Sequence, residues 1–237
     1  MPVSRAHRSV AVLATLLTAS TVGLGAVTSA QAASVCGPAG YAAPIATTTS
    51  LSLDRSVAEY GFVNVATIRV SSGAGTPSGT VRTSVAGVTR TDALDHRGAT
   101  QRELPRRLEA GHSYSVTTSY DGQGSCQASG PVRKYYTVVR ARTNVRGLEA
   151  RDVRTGGRPH VSGRVASSTG ITPDGKVRVT LTRGGTAKQA TVRLRGGRFS
   201  VTFGRLSQRG TWKVKAVMVA NRDYRASSDS TRFRVGR

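Results

Sequence analysis

The chain has 237 residues, 35 Lys+Arg against 12 Asp+Glu, and a formal net charge of +23 at pH 7. Beyond the N-terminus no run is long or apolar enough to cross a bilayer, which excludes a polytopic membrane protein. The only two cysteines, Cys36 and Cys126, fit no metal-ligand spacing, which excludes a cysteine-based zinc module.

Residues 1–32 have the pattern of a secretory signal peptide. Arg5 and Arg8 form a positive start, 10–27 is apolar and uncharged, and Ala30-Gln31-Ala32 fits a small-x-small cleavage site. The arginines are not paired, against a twin-arginine route. Ala33-Ser34-Val35 before Cys36 lacks the leucine of a lipobox. The expected mature chain is exported, without a transmembrane segment, and is secreted or associated with the cell wall. An exported chain with an even cysteine count favours a Cys36–Cys126 disulfide, closing a loop of about 90 residues. Residues 33–44, small residues with Pro and Gly, read as an extended leader held by Cys36.

From residue 45 onward short β-rich runs are broken by Gly, Pro, Asp or Asn, and helical periodicity is nearly absent. The strands expected in the first unit, 45–140, are Thr47–Leu53, Val63–Val70, Thr80–Val85, Val88–Leu94, Thr100–Leu104, His112–Tyr120 and Val132–Arg140. Ile68 and Val70, then Val116 and Tyr120, have the inward parity. In Tyr135-Tyr136 alternation buries one ring and exposes the other. The second unit, 141–237, repeats the series: Thr143–Leu148, Pro159–Ser167, Lys176–Arg183, Thr191–Arg195, Arg198–Phe203, Gly210–Ala220 and Ser230–Val235. Val177, Val179 and Leu181 face in, as do Trp212, Val214, Ala216 and Met218. Pro77 matches Pro173, Gly111 matches Gly210 and Val138 matches Val235, at separations of 96, 99 and 97. A repeat of that period implies two tandem all-β antiparallel sandwiches. No Gly/Ser spacer separates them, so limited hinge freedom is expected near Arg140–Thr143.

The motifs that carry the repeat are Thr76-Pro77-Ser78-Gly79-Thr80-Val81 and Thr172-Pro173-Asp174-Gly175-Lys176-Val177. Proline fixes φ for the turn and glycine supplies positive φ. With Thr49-x-Leu51, Tyr60-Gly61 and Ala110-Gly111-His112-Ser113-Tyr114-Ser115-Val116 running to Tyr120-x-Gly122, residues 45–140 resemble a bacterial immunoglobulin-like repeat of exported surface proteins. The second unit keeps Gly210-Thr211-Trp212 but has Asn221-Arg222-Asp223-Tyr224 where Tyr-x-Gly would fall. The resemblance implies an immunoglobulin-like sandwich and a role in spacing, adhesion or ligand binding. It implies no catalytic residues.

Chemistry-bearing clusters are sparse. His96, His112 and His160 fall in separate elements without metal spacing. Asp92, Asp95 and Glu103 lack the density of a calcium loop and read as exposed loop carboxylates. No serine elbow, Ser-x-x-Lys pair or phosphate loop is found. The reading therefore assigns no catalysis, cofactor or metal.

Charge is the functional signal. Residues 33–140 carry 11 Lys+Arg and 7 acids; 141–237 carry 22 and 5. If Trp212 and Val214 face in, Lys213 and Lys215 face out. By the same parity Lys176, Arg178, Arg193, Arg195, Arg232 and Arg234 face out, and immunoglobulin topology would gather them into one basic plate. Such a plate either concentrates anionic partners or only deters edge aggregation. Rings to interleave with bases are missing, so no sequence-specific nucleic acid is expected. The expectation is a non-catalytic binding or spacer module whose second unit contacts an anionic envelope polymer. The alternative is an adhesion module, or accessory subunit, that binds a surface protein.

Overall fold

Alternation and turn residues dictate the architecture seen in a computed structural model, which describes residues 36–37 and 43–237. The expected signal peptide and most of the 33–44 leader lie outside the described residues. Among these, all regular structure is strand. The first eight strands are β1 (Thr47–Leu53), β2 (Val57–Glu59), β3 (Val65–Ser72), β4 (Thr80–Val85), β5 (Val88–Ala93), β6 (Ala99–Glu103), β7 (His112–Tyr120) and β8 (Ser129–Val139). They form a three-stranded sheet, β1-β3-β6, and a five-stranded sheet, β2-β8-β7-β4-β5. The next eight are β9 (Thr143–Ala150), β10 (Val153–Arg154), β11 (His160–Ser167), β12 (Lys176–Arg183), β13 (Thr186–Arg193), β14 (Arg198–Thr202), β15 (Gly210–Met218) and β16 (Ser227–Gly236). Their sheets, β14-β11-β9 and β10-β16-β15-β12-β13, repeat the first topology strand for strand. All pairings are antiparallel except β2 with β8 and β10 with β16. Val138 and Val235 are equivalent: each lies on the last long strand, opposite the short parallel one.

Each sandwich has its own core. Ile68, Val81, Val116, Tyr120 and Tyr136 fill the first; Val177, Leu181, Phe199, Trp212, Val214 and Phe233 fill the second. Trp212 is 1% exposed, and its indole N–H donates to the Gln208 carbonyl at 3.1 Å, so the ring is buried without an orphaned donor. Both Pro-x-Gly turns are built as their residues require. Pro77 and Pro173 are buried, and Gly79 and Gly175 have φ of +116° and +123°. A Cβ at Gly79 would lie 2.7 Å from Gln123 Oε1 and one at Gly175 3.0 Å from Met218 Cε, ends of flexible side chains that can yield, so it is the positive φ that calls for glycine in both turns.

Several boundaries differ from the sequence expectation. The strand expected at Thr191–Arg195 is β13, Thr186–Arg193, which pairs along its whole length with β12. Gly184-Gly185 form a two-residue hairpin loop, and positive φ at Gly184 permits this tight reversal. Arg195 is therefore not a strand residue of the five-stranded sheet. It bridges to Arg198 in the turn before β14. The third strand starts at Val65 rather than Val63, because the Asn64 side chain binds both the N–H and the carbonyl of Arg55 and occupies the corner. Asp92 is not a loop carboxylate. It lies on β5 and accepts two hydrogen bonds from the Arg102 guanidinium, at 2.8 and 2.5 Å.

Cys36 and Cys126 are joined, with Cα atoms 5.1 Å apart. Cys126 sits in the loop between β7 and β8. The entering chain lies along that loop, with Ile45 N–H donating to the Ser125 carbonyl and Gln127 N–H to the Ile45 carbonyl. The bridge spans 90 residues, for which the chain-entropy account gives about 4–5 kcal/mol. Removing it as Cys36→Ala/Cys126→Ala should lower the thermal midpoint by several degrees; an unchanged midpoint would show that the bridge adds nothing.

Tyr136 is 2% exposed and its hydroxyl has no protein partner. Burial, with Tyr114 beside it, pushes its pKa up to about 12. The folded state thus holds the phenol proton more tightly than the unfolded chain, whose tyrosines titrate near 10. Stability is fully present below pH 10 and falls as pH rises from 10 towards 12. Tyr136→Phe should leave neutral-pH stability unchanged or raised, because no hydrogen bond is lost, and should flatten the alkaline fall. Denaturant midpoints at pH 7 and pH 11 check both.

Candidate functional site

The five-stranded sheet of the second sandwich has two unlike faces. Trp212, Val214, Ala216 and Met218 of β15 point into the core and are buried, while Thr211, Lys213 and Lys215 are exposed on the other side. Arg232 and Arg234 alternate with buried Phe233 and Val235 on β16. Lys176 and Arg178 alternate with buried Val177 and Val179 on β12. Arg193 is exposed at the end of β13. Register makes neighbours of them: Lys213 is directly opposite Arg232, and Lys176 is opposite Arg193. Thr180, Thr182, Thr191, Gln189 and Ser230 occupy the intervening positions of this face. The one acid on these four strands, Asp229, has the inward parity. None of the cations makes an ion pair among the described residues. Seven of the eight cations expected on the plate occupy this face; Arg195 does not.

Like charges directly opposite on neighbouring strands repel. Water and salt screen exposed pairs over about 8–10 Å, which makes the arrangement tolerable but not favourable. The equivalent face of the first sandwich carries Ser113, Ser115, Thr117 and Thr137 in the same register, and its Arg82 is paired with Asp121 at 3.0 Å. That face also exposes Tyr135, at 59%, while Tyr136 behind it is buried.

Arg195 lines a different feature, an open groove of about 970 Å³ between the edge strands β13 and β14 of the second sandwich, which Arg193 of the plate also lines. Its walls include Arg164 of β11 and Arg198 of β14, with Glu149 of β9 at one end. Sequence reading missed Arg164 and Arg198. Both have the outward parity, but the pairing that joins them links strands more than 30 residues apart and leaves no local signal.

Titratable groups elsewhere are occupied structurally. His160 lies between Thr202 Oγ1 at 3.1 Å and Ser200 Oγ at 3.3 Å, with no carboxylate behind it. Asp95 accepts from the N–H groups of Ala99 and Arg97, which hold its carboxyl below the usual range. Glu103 pairs with Arg106. Among the described residues no cluster of three His, Cys, Asp or Glu could hold a metal ion, and no helix is long and apolar enough to cross a membrane.

The two sandwiches meet through a three-residue connection, 140–142. Ala141 is fully buried; its N–H donates to the Asp223 carbonyl and its own carbonyl accepts from Arg225. Tyr60 and Tyr224 meet edge-on at 5.4 Å. Thr169 Oγ1 donates to the Tyr60 carbonyl at 2.9 Å, and Ser168 donates to the Glu59 carboxylate, which also pairs with Arg142. Burial raises the pKa of both tyrosines, that of Tyr224 to about 12.

No protein-family model matches the chain, and no curated protein matches its sequence. Solved structures do. Invasin, a bacterial integrin-binding protein, shares 14% identity over 79% of this chain and 39% of its own, with a TM-score of 0.50. A 1.5-MDa bacterial ice-binding adhesin shares 17% over 82% and 65%, with a TM-score of 0.34. A two-domain fibronectin type III segment of chicken tenascin shares 18% over 77% and 97%, at 0.40. The chain thus spans 65% and 39% of the two bacterial structures. At such identities the likeness to invasin shows the fold, an immunoglobulin-like sandwich.

The Lys213–Arg232 opposition gives a direct test of self-repulsion on the plate. Lys213→Thr, which keeps a good strand former, should raise the thermal midpoint at low salt. Added NaCl should raise the wild-type midpoint more than that of the variant. A lower midpoint for Lys213→Thr would show instead that the lysine stem contributes packing.

Proposed function

We propose that the chain is an exported, non-catalytic binding and spacer protein of the cell envelope, made of two domains, 45–140 and 141–237, of the bacterial immunoglobulin-like repeat type. Its second domain holds anionic envelope polymers on the plate formed by Lys176, Arg178, Arg193, Lys213, Lys215, Arg232 and Arg234. One observation carries this reading: these cations share the face opposite Trp212, and no outward position of the four strands is acidic. A field of one sign attracts polyanions and is kept at some expense of stability, which favours a use for it. The fold shared with invasin supports a surface role, and the contacts across 140–142 support a fixed spacing. A protein-binding alternative draws support from Tyr135, exposed on the equivalent face of the first sandwich.

Chromatography of the full chain on an immobilised polyanion separates the two. The protein should be retained at low salt, and retention should fall steeply as salt rises. Lys213→Thr/Lys215→Thr/Arg232→Thr/Arg234→Thr should elute earlier with a shallower salt dependence. Coelution with the wild type would sink the electrostatic reading, and undiminished binding of that variant to intact cells would favour the protein-binding one.

A further inference from the structure

The small sheet of the second sandwich carries a second, differently organised set of charges. Arg146 on β9, Arg164 on β11 and Arg198 on β14 are direct cross-strand partners, forming one row across three strands. All three are exposed, and none makes an ion pair among the described residues. Neighbouring strands lie about 4.8 Å apart, so three guanidinium stems stand side by side, an unfavourable arrangement unless an anion lies among them. The next outward row is of another kind. There Glu149, Ser162 and Ser200 are the direct partners, bringing one carboxylate and two hydroxyls.

Arg164 and Arg198 of the first row and all three residues of the second line the groove of about 970 Å³, as do Arg193 and Arg195. Past Arg164 and Arg198 the groove continues into a second depression of about 270 Å³, bounded by Ile171, Pro173 and the Gly196-Gly197 turn. Gly197 has φ of +72°, and a Cβ there would lie 3.1 Å from the Val165 carbonyl oxygen, so the turn lies close against β11. An open trough running through two depressions suits a length of chain better than a single small ion.

We infer that this trough is a subsite for a linear acidic polysaccharide. Sugar carboxylates lie against Arg164 and Arg198, whose planar forks match them. Sugar hydroxyls donate to Glu149 and exchange hydrogen bonds with Ser162 and Ser200. Glu149 is the discriminating residue: it repels a chain of phosphates, which has no hydroxyl to give it, and accepts from a sugar. Bases find no exposed ring in the trough, because Phe199 is 4% exposed. The inference rests on the reading of the second sandwich as anion-binding, but it places chain selectivity in the trough and not on the plate.

Calorimetric titration of the full chain with polygalacturonate oligomers, carboxyl-reduced oligomers and polyphosphate tests it. Polygalacturonate should bind best and the carboxyl-reduced chain should not bind. Arg164→Gln/Arg198→Gln should weaken polygalacturonate by at least about tenfold, the worth of one charge-assisted hydrogen bond. Arg198→Lys keeps the charge, loses the fork, and should weaken it by a smaller factor. Glu149→Gln should weaken polygalacturonate while strengthening polyphosphate. The Arg164→Gln/Arg198→Gln variant should also melt at a higher temperature, because the like-charged row is relieved; this excludes misfolding as the cause of lost binding. In the fourfold plate variant, where only the trough remains, polyphosphate bound as tightly as polygalacturonate, or full affinity after adding Arg164→Gln/Arg198→Gln, overturns the trough assignment. If the fourfold plate variant alone abolishes binding, the plate reading stands and the trough falls. If no polymer binds the wild type, both fall.

Discussion

Consecutive side chains of a pleated strand point to opposite sides of its sheet, and in β15 that rule decides the character of half the molecule. Trp212, Val214, Ala216 and Met218 fill the second core only if Thr211, Lys213 and Lys215 are expelled from it. A slip of one residue would drive two ammonium groups into an apolar interior, where no partner waits and the desolvation cost far exceeds any pairing gain. The neighbours β12 and β16 obey the same parity, so burying the tryptophan and creating the basic face are one event.

Register needs pinning for that rule to hold, and short turns supply it. Gly184-Gly185 lock β12 to β13 over eight consecutive pairs, and the Pro173–Gly175 turn delivers the chain to Lys176 at the correct phase. The first sandwich uses Pro77 and Gly79 in the same way and reaches the same strand order. What the copies share is therefore chiefly their inward positions and turns, with Arg82 and Arg178, and Arg69 and Arg164, as outward matches. Outward positions are under weaker packing constraint, and on this strand they diverge: Ser115 and Thr117 on one copy, Lys213 and Lys215 on the other.

Local pattern made much of this legible. Thr47–Leu53, Thr80–Val85, His112–Tyr120 and Lys176–Arg183 run between the expected residues, because strong alternation ends there at a turn signal. Val57–Glu59 and Val153–Arg154 were not legible, since two or three residues carry no period. Arg195 was misplaced because Val192 and Leu194 continue an alternation that the backbone abandons at the Gly196-Gly197 turn. Asp92 was misjudged because its partner, Arg102, belongs to the opposing sheet. The trough was beyond sequence reading for the same reason: its arginines become neighbours only when β9, β11 and β14 pair, and non-local register leaves no trace in spacing.

The junction determines whether these faces act independently. A flexible linker would let each sandwich present its surface at any angle, as Gly/Ser-rich chains do. Here the connecting Ala141 is itself buried, with both backbone groups bonded to the 223–225 segment, so the connection is part of the second fold. Tyr60 packs against both cores, and its ring meets Tyr224 edge-on. Rotation at 140–142 would have to break the Glu59 contacts with Arg142 and Ser168 and expose two largely buried aromatic rings. The two sandwiches are thus coupled by packing at the junction, not tethered by a flexible chain.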